Sequence, residues 1–314
     1  MAETGNDIEL AAQLLGKGEL VAIPTETVYG LAANALNKEA VLKIFQAKNR
    51  PFFDPLIIHA GSIDQVRNYV REFPQKALDL ANAFWPGPLT LLLPRTGLVP
   101  DLVTSGLETV AVRIPDHPLT LELLTKIDFP LAAPSANPFG YVSPTSAAHV
   151  LEQLGDKIPY VLDGGPCSIG IESTIVGFEN DETLIYRLGG LALEEIEKVA
   201  GQVKLQINQS SDPKAPGQLK SHYAPRKPLL MGDVNALAAL HRGKKIGVIS
   251  FTAPYPFALT KILSPSGNLE EAAYRLFAAM RELDGSDIDL IIAEVFPDDF
   301  LGRAINDRLR RASA

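Results

Sequence analysis

Hydroxyls, carboxylates and a few cations gather in five short segments of this chain. They are Pro24-Thr25-Glu26-Thr27-Val28-Tyr29-Gly30, Lys48-Asn49-Arg50-Pro51, Ser135-Ala136-Asn137, Glu172-Ser173-Thr174-Ile175-Val176 and His222-Tyr223-Ala224-Pro225. Each follows or interrupts an apolar run, and strand ends and loops are where a rigid scaffold presents its chemistry. Hydroxyls hold small polar ligands through directional hydrogen bonds. Arginine forks onto phosphate or carboxylate, and lysine adds a compact point charge. Together these residue types suit a site for phosphates and carboxylates.

Each segment also has a plainer reading. Thr25, Thr27 and Tyr29 could be satisfied turn hydroxyls, although three of them with Glu26 around one turn are dense. Lys48 and Arg50 close a helix, where cations complement the dipole; the alternative is an anion clamp. Asp54 follows on the next loop, and His59 ends the run Leu56-Ile57-Ile58 as either a core histidine or a ligand. Thr109, Ala111 and Arg113 share one side of a strand. An arginine there is costly unless paired, so an acidic side chain or a ligand carboxylate must meet it. Small residues in Ala132-Ala133-Pro134-Ser135 let a ligand approach the backbone. Ser143 is a candidate helix cap, Thr174 a strand threonine, and Arg187 sits near the end of the next strand. Cys167 has no base or cation beside it in sequence, which suits an inert thiol. His59, His117, His149, His222 and His241 lack metal-ligand spacing, so no protein-bound zinc or other metal site is expected, and there is no Walker-type glycine loop.

The elements that must position these residues alternate. Strands are expected at Glu19–Pro24, Pro55–Ala60, Leu89–Leu93, Thr109–Ile114, Leu131–Ala133, Tyr160–Leu162, Ser173–Phe178 and Thr183–Leu188. Helices are expected at Lys38–Lys48, Gln75–Phe84, Leu119–Lys126 and Thr145–Leu154. This predicts a mixed α/β domain around one large sheet over residues 1–202. Proline, serine and glycine then dominate, which reads as a linker over 203–228. Over 229–314 a strand at Lys245–Phe251, a helix at Leu269–Leu283, a strand at Ile288–Phe296 and a basic helix at Phe300–Arg311 predict a small Rossmann-like α/β module.

The 314 residues are 46% hydrophobic and 21% charged, an ordinary globular balance. No apolar run reaches membrane-spanning length. The polar, acidic start lacks a secretory signal. One cysteine makes no intrachain disulfide, which fits a reducing cytoplasm. The net charge of −8 is uneven: residues 1–200 hold 14 basic and 25 acidic side chains, residues 201–314 hold 15 and 12. An acidic body is a poor non-specific nucleic-acid binder.

Taken jointly, the motifs resemble the L-threonylcarbamoyladenylate synthases of the long, two-domain type, with a YrdC-like catalytic domain and a smaller C-terminal domain. Pro24–Gly30, Lys48-Asn49-Arg50, Ser135-Ala136-Asn137 and Ser173-Thr174-Ile175-Val176 match the catalytic signature. Pro216-Gly217 with His222–Pro225 matches the linker, and Asp307-Arg308-Leu309-Arg310-Arg311-Ala312 the C-terminal ending. The resemblance implies a YrdC-like twisted mixed sheet and a reaction joining L-threonine, bicarbonate and ATP into threonylcarbamoyl-AMP and pyrophosphate. That product serves threonylcarbamoyladenosine formation at tRNA position 37. Thr27, His59, Arg113, Ala133 and Ser173 would surround threonine. Arg50, Asp54, Thr109, Ser135, Ser143, Arg187 and Tyr223 would surround ATP, and Lys48 and Arg50 would act on the reacting groups. Mg²⁺ would accompany ATP, and Tyr223 would close over the nucleotide. Downstream threonylcarbamoyl-transferase machinery is the implied partner, with no direct tRNA binding required. Asp54 departs from an expected asparagine. Two other readings remain: a double-stranded-RNA-binding module, which the acidic balance opposes, and the carbamoyl-transfer domain of hydrogenase maturation factors, which would bring zinc-finger and acylphosphatase domains.

Overall fold

The alternating apolar segments pair as strands of two sheets. The structure, a computed structural model, describes residues 1–207, 214–218 and 222–314. Strands of the first sheet are β1 (Glu3–Gly5), β2 (Val21–Ile23), β3 (Gly30–Asn34), β4 (Ile57–His59), β5 (Leu89–Pro94), β6 (Thr109–Arg113), β7 (Leu131–Ala132), β8 (Tyr160–Leu162), β9 (Thr174–Glu179), β10 (Glu182–Arg187) and β11 (Val203–Leu205). Their spatial order is β1-β8-β2-β3-β7-β4-β6-β5-β9-β10-β11. Parallel and antiparallel pairs mix: β4 runs with β6, whereas β5 opposes β6 and β10 opposes β9. β2 and β4 are buried throughout, because helices and loops cover both faces.

The register places chemistry. β4 and β6 align His59 with Arg113, so both side chains leave the same edge of the sheet. An isolated bridge from Gly30 to Ser135 brings the first and third motifs together. A bulge between Ile185 and Arg187 sets Arg187 opposite Ile175; bulges re-aim side chains beside functional sites.

Strands β12 (Leu229–Met231), β13 (Ile246–Ser250), β14 (Leu259–Ile262) and β15 (Leu290–Ala293) form a second, wholly parallel sheet in the order β12-β15-β13-β14. The sequence pattern predicts two strands here and the structure has four. β12 follows Pro228 in linker-like composition, and β14 is a short edge strand interrupted by Lys261. β1 escapes the pattern because Glu3-Thr4-Gly5 carries no apolar signal; the helix Ile8–Gly16, capped by Asp7, is not among the expected helices although its apolar residues show it. The helix expected from Thr145 starts at Ala147, with Ser146 capping His149 N–H. The linker expected over 203–228 contains β11, and its residues 208–213 and 219–221 lie outside the described residues.

The two sheets share one continuous apolar core. Arg281 from the helix Leu269–Gly285 donates to the Val142 and Ser143 carbonyls, Tyr141 Oη meets Asp284 at 2.6 Å, and Arg303 pairs with Glu194. Hydrogen bonds and one ion pair thus tie the final segment to the first sheet's module in one contact. Gly170, at φ +82°, shows how tight it is: a Cβ there would lie 2.4 Å from the Tyr274 carbonyl oxygen.

Candidate active site

One pocket, with polar side chains set among apolar ones such as Val28, Pro55 and Ile57, lies where the edges of β3, β4, β6 and β9 meet. Thr25, Thr27, Arg50, His59, Arg113, Ala133, Ser135, Glu172, Ser173, Arg187, Gly217, His222 and Tyr223 line it. All five motifs therefore converge. Of the residues expected to touch substrates, Thr27, Arg50, His59, Arg113, Ala133, Ser135, Ser173, Arg187 and Tyr223 line the pocket; Lys48, Asp54 and Ser143 bond to lining residues or their loops, and Thr109 pairs with Pro94 at the far end of its strand.

Part of the pocket is built on strand ends. Thr25 Oγ1 lies 2.9 Å from Thr27 Oγ1 and donates to the Val28 carbonyl at 2.6 Å, an internal turn that fixes both hydroxyls. Arg113 Nε donates to the Gly87 carbonyl at 3.1 Å, and one terminal nitrogen meets Glu26 at 2.6 Å. Of the two partners open to Arg113 in the sequence, the acidic side chain is present. His59 is buried, and that burial, reinforced by Arg113, pushes its imidazole down to about 3. It is a neutral ring at physiological pH.

Two further cations, Arg50 and Arg187, line the pocket beside Arg113. Arg50 Nη2 meets Asp54 at 2.9 Å and the Pro55 carbonyl at 2.7 Å, and its Nε donates to the Asp54 carbonyl. Asp54 is sealed from solvent; burial raises its carboxyl and Arg50 pulls against that. The carboxylate thus acts as a brace for Arg50. Arg187 Nε and Nη2 hold the carbonyl and hydroxyl of Ser173 at 3.0 Å each, and burial lowers its guanidinium to about 10. Gly217, at φ +72°, passes so close that a Cβ would stand 3.0 Å from Arg187 Nη1. Tyr223 takes φ 66° although it is not glycine; such strain persists where surroundings over-determine it and concentrates at functional sites.

Lys48 takes a different position from a free phosphate contact. Its Nζ donates at 2.5 Å to the carbonyls of Ser135 and Asn137, fastening that loop to the helix. Burial, then Arg50, lowers its ammonium well below the usual range. Ser143 Oγ donates to Glu172 at 2.5 Å, so the serine is no helix cap. Cys167 is buried, which pushes its thiol up to about 12, and Glu26 and Arg113 are its charged neighbours. The cation absent from its sequence surroundings is thus supplied by the fold, and the thiol is still held protonated.

Sequence reasoning assigned no role to Glu172, although it heads a motif. It lines the pocket, and Arg308, Arg187 and Ser143 hold its carboxyl below the ordinary value against the opposing effect of burial. The arginines of the C-terminal ending carried a signal, three in four residues, but their destination is a property of the fold.

Comparison with known proteins decides the family. A family model described as "Telomere recombination" matches residues 13–189, and one described as "Threonylcarbamoyl-AMP synthase, C-terminal domain" matches residues 191–314. The chain belongs to the threonylcarbamoyl-AMP synthase family. A threonylcarbamoyl-AMP synthase of Pyrococcus abyssi is 44% identical, covering 98% of this chain and 94% of its own. One from Bacillus subtilis is 42% identical, covering 98% and 92%. The crystal structure of P. abyssi Sua5 complexed with L-threonine is 43% identical with a TM-score of 0.93, over 98% of this chain and 94% of that one. The same family resemblance was carried in the sequence by its five motifs and its C-terminal ending.

Proposed function

We propose that this member of the threonylcarbamoyl-AMP synthase family condenses L-threonine, bicarbonate and ATP into threonylcarbamoyl-AMP and pyrophosphate, in the cytoplasm, and hands the product to threonylcarbamoyl-transferase machinery without itself needing to bind tRNA. The observation that supports it best is the convergence of both residue sets on one pocket. Hydroxyls and the Glu26-braced Arg113 line it together with Arg50, Arg187 and Tyr223. We assign residues 1–202 to catalysis, 203–228 to a linker that doubles as a lid, and 229–314 to a supporting module.

In this reading Thr27, His59, Arg113, Ala133 and Ser173 receive threonine, with Arg113 facing its carboxylate. The threonine ammonium first gives a proton to solvent; the free amine nitrogen then attacks the bicarbonate carbon, water leaves and a carbamate forms. A carbamate oxygen then attacks the α-phosphorus and pyrophosphate departs with the bond electrons. Neutral His59 adds no charge to repel the threonine ammonium. Arg50 and Arg187 offset the negative charge that develops on phosphate in a site with little water. Ser135, Thr109 and Tyr223 contact the nucleotide, and Asp54, Ser143 and Lys48 position those that do. Mg²⁺ would accompany ATP and offset phosphate charge; among the described residues no group of three His, Cys, Asp or Glu could hold a metal. Among them, too, no helix is long and apolar enough to cross a membrane.

The test is pyrophosphate release from ATP with each co-substrate withheld in turn, and transfer of label from bicarbonate into an adenylate. Release that needs both threonine and bicarbonate supports the reading. Equal release without an amino acid rejects it.

A further inference from the structure

The helix Phe300–Ala312 reaches the pocket through Arg308, a side chain with no solvent exposure. Its Nε donates to Glu172 Oε2 at 2.8 Å, Nη1 to Asp307 at 2.7 Å and Nη2 to the Leu188 carbonyl at 2.8 Å. The guanidinium carbon also lies 4.9 Å from the centre of the Tyr223 ring, within cation–π range. Phe277, from the helix Leu269–Gly285, stacks with that same ring at 5.6 Å. Next to Arg308, Asp307 accepts from Arg311 Nε at 3.1 Å, and Arg311 donates onward to the Gly217 carbonyl and accepts from His222 N–H. The other oxygen of Glu172 takes the Ser143 hydroxyl, and Arg281 grips the Ser143 carbonyl at 3.2 Å.

These bonds are one-sided. They end on Glu172, Ser143, Gly217 and Tyr223, and on Leu188 immediately after Arg187. Thr27 and Arg113 are held instead by Thr25, Gly87 and Glu26, all in loops joined to the first sheet.

We propose that Arg308 is a positioning residue for the nucleotide half of the site, coupling the docking of the second sheet to the placement of Glu172 and Tyr223. The inference rests on the functional reading above, in which Tyr223 and Arg187 face ATP. Its chemistry follows from geometry. One planar cation with all three nitrogens engaged cannot shift without releasing a carboxylate, a backbone carbonyl and an aromatic face together. Lysine keeps the charge but not the fork or the flat face. The second module is then part of how ATP is bound, whereas threonine recognition stands on the first sheet alone.

The experiment uses full-length protein and calorimetry with two probes, a non-hydrolysable ATP analogue and L-threonine. Arg308→Lys is expected to weaken the analogue about tenfold, the scale of one lost charged hydrogen bond, and to leave threonine within about twofold. Asp307→Asn is isosteric and weakens the carboxylate that braces Arg308 and Arg311, both on the nucleotide half, so it is expected to weaken the analogue about threefold. Arg303→Gln breaks the outer Glu194 contact of the same helix and is expected to change neither. Equal loss of both ligands in Arg308→Lys, or an unchanged analogue affinity, overturns the proposal. Should Arg308→Lys fail to fold, Asp307→Asn decides by the same two affinities. A wild-type chain that binds no analogue removes the functional reading itself, a result distinct from variants that lose both ligands together.

Discussion

Glu26 and Arg113 meet at 2.6 Å with both side chains buried. Among the described residues neither oxygen of Glu26 gains a hydrogen bond of standard geometry. The carboxylate is committed to aiming a guanidinium whose Nε is already tied to Gly87. Arg113 therefore has a fixed direction before any ligand arrives, which is what recognition of a planar carboxylate requires.

Arg113→Lys should weaken L-threonine about tenfold or more, since it keeps charge and loses the fork. Affinity for an ATP analogue should stay within about twofold, because Arg50 and Arg187 are held by separate bonds. Calorimetry with each ligand separates the two. Threonine affinity equal to wild type would reject the carboxylate role of Arg113.

Lys48 allows a sharper choice between two roles. A lysine that only touches phosphate lowers activity when removed and leaves stability alone. Lys48 instead fastens two carbonyls of the Ser135–Asn137 loop. Lys48→Met should strip the Asn137 carbonyl of its donor, while the Ser135 carbonyl keeps the Asn137 N–H, and cost about 1–3 kcal/mol in urea unfolding, the scale of one buried group left unpaired. Activity should fall as well. Lost activity with unchanged unfolding would restore the simple phosphate-contact role.

Strand-end motifs were legible because a strand fixes which side chains share an edge. The aligned pair His59 and Arg113 follows from two short apolar runs, each ending on a polar residue. The partners of those motifs were not legible. Nothing in Glu172-Ser173-Thr174 tells that Arg308 lies against Glu172 across 136 positions of sequence, because a buried ion pair leaves no local periodicity. The expectation of two strands in the second module failed for a related reason. Strand β14 is held by its pairing with β13, a tertiary effect that overrides weak local preference.

Acid should unfold this protein early. Burial holds His59 at about 3 and His222 well below the ordinary histidine value, both neutral in the fold. The unfolded chain therefore binds more protons below pH ~6.5, and stability falls as pH drops from there toward the folded values. Each histidine contributes a slope of about 1.4 kcal/mol per pH unit within that window. Melting temperature should be flat near neutrality and fall below pH ~6. His59→Asn should reduce the slope. An NMR titration showing the His59 ring protonating near pH 6 would contradict this account.

Gly217 combines a left-handed backbone with a neighbour that fills the space of a Cβ. Gly217→Ala strains the backbone by about 1 kcal/mol and pushes against Arg187 Nη1. The expected result is a higher KM for ATP with kcat reduced less and KM for threonine unchanged. An alanine variant with wild-type ATP kinetics would show that the passage of this segment over Arg187 is incidental.

Removing everything after Gly201 tests the whole arrangement. The first sheet would keep most of its ladder and the apolar faces of β2 to β10, so its far-ultraviolet dichroism should persist. Glu172, however, would lose Arg308, and the Arg187 guanidinium would lose the carbonyl of Pro216. A buried carboxylate stripped of its partner is destabilising by about 3–5 kcal/mol, so Glu172 should turn toward solvent or take up a proton. Either outcome leaves the nucleotide half of the pocket without its frame. The truncated chain is thus expected to retain threonine affinity and lose ATP-dependent pyrophosphate release by about a hundredfold, the scale of about 2.7 kcal/mol of lost positioning. Full activity in the truncated chain would mean that the second sheet is a passenger and that Glu172 needs no cation from it.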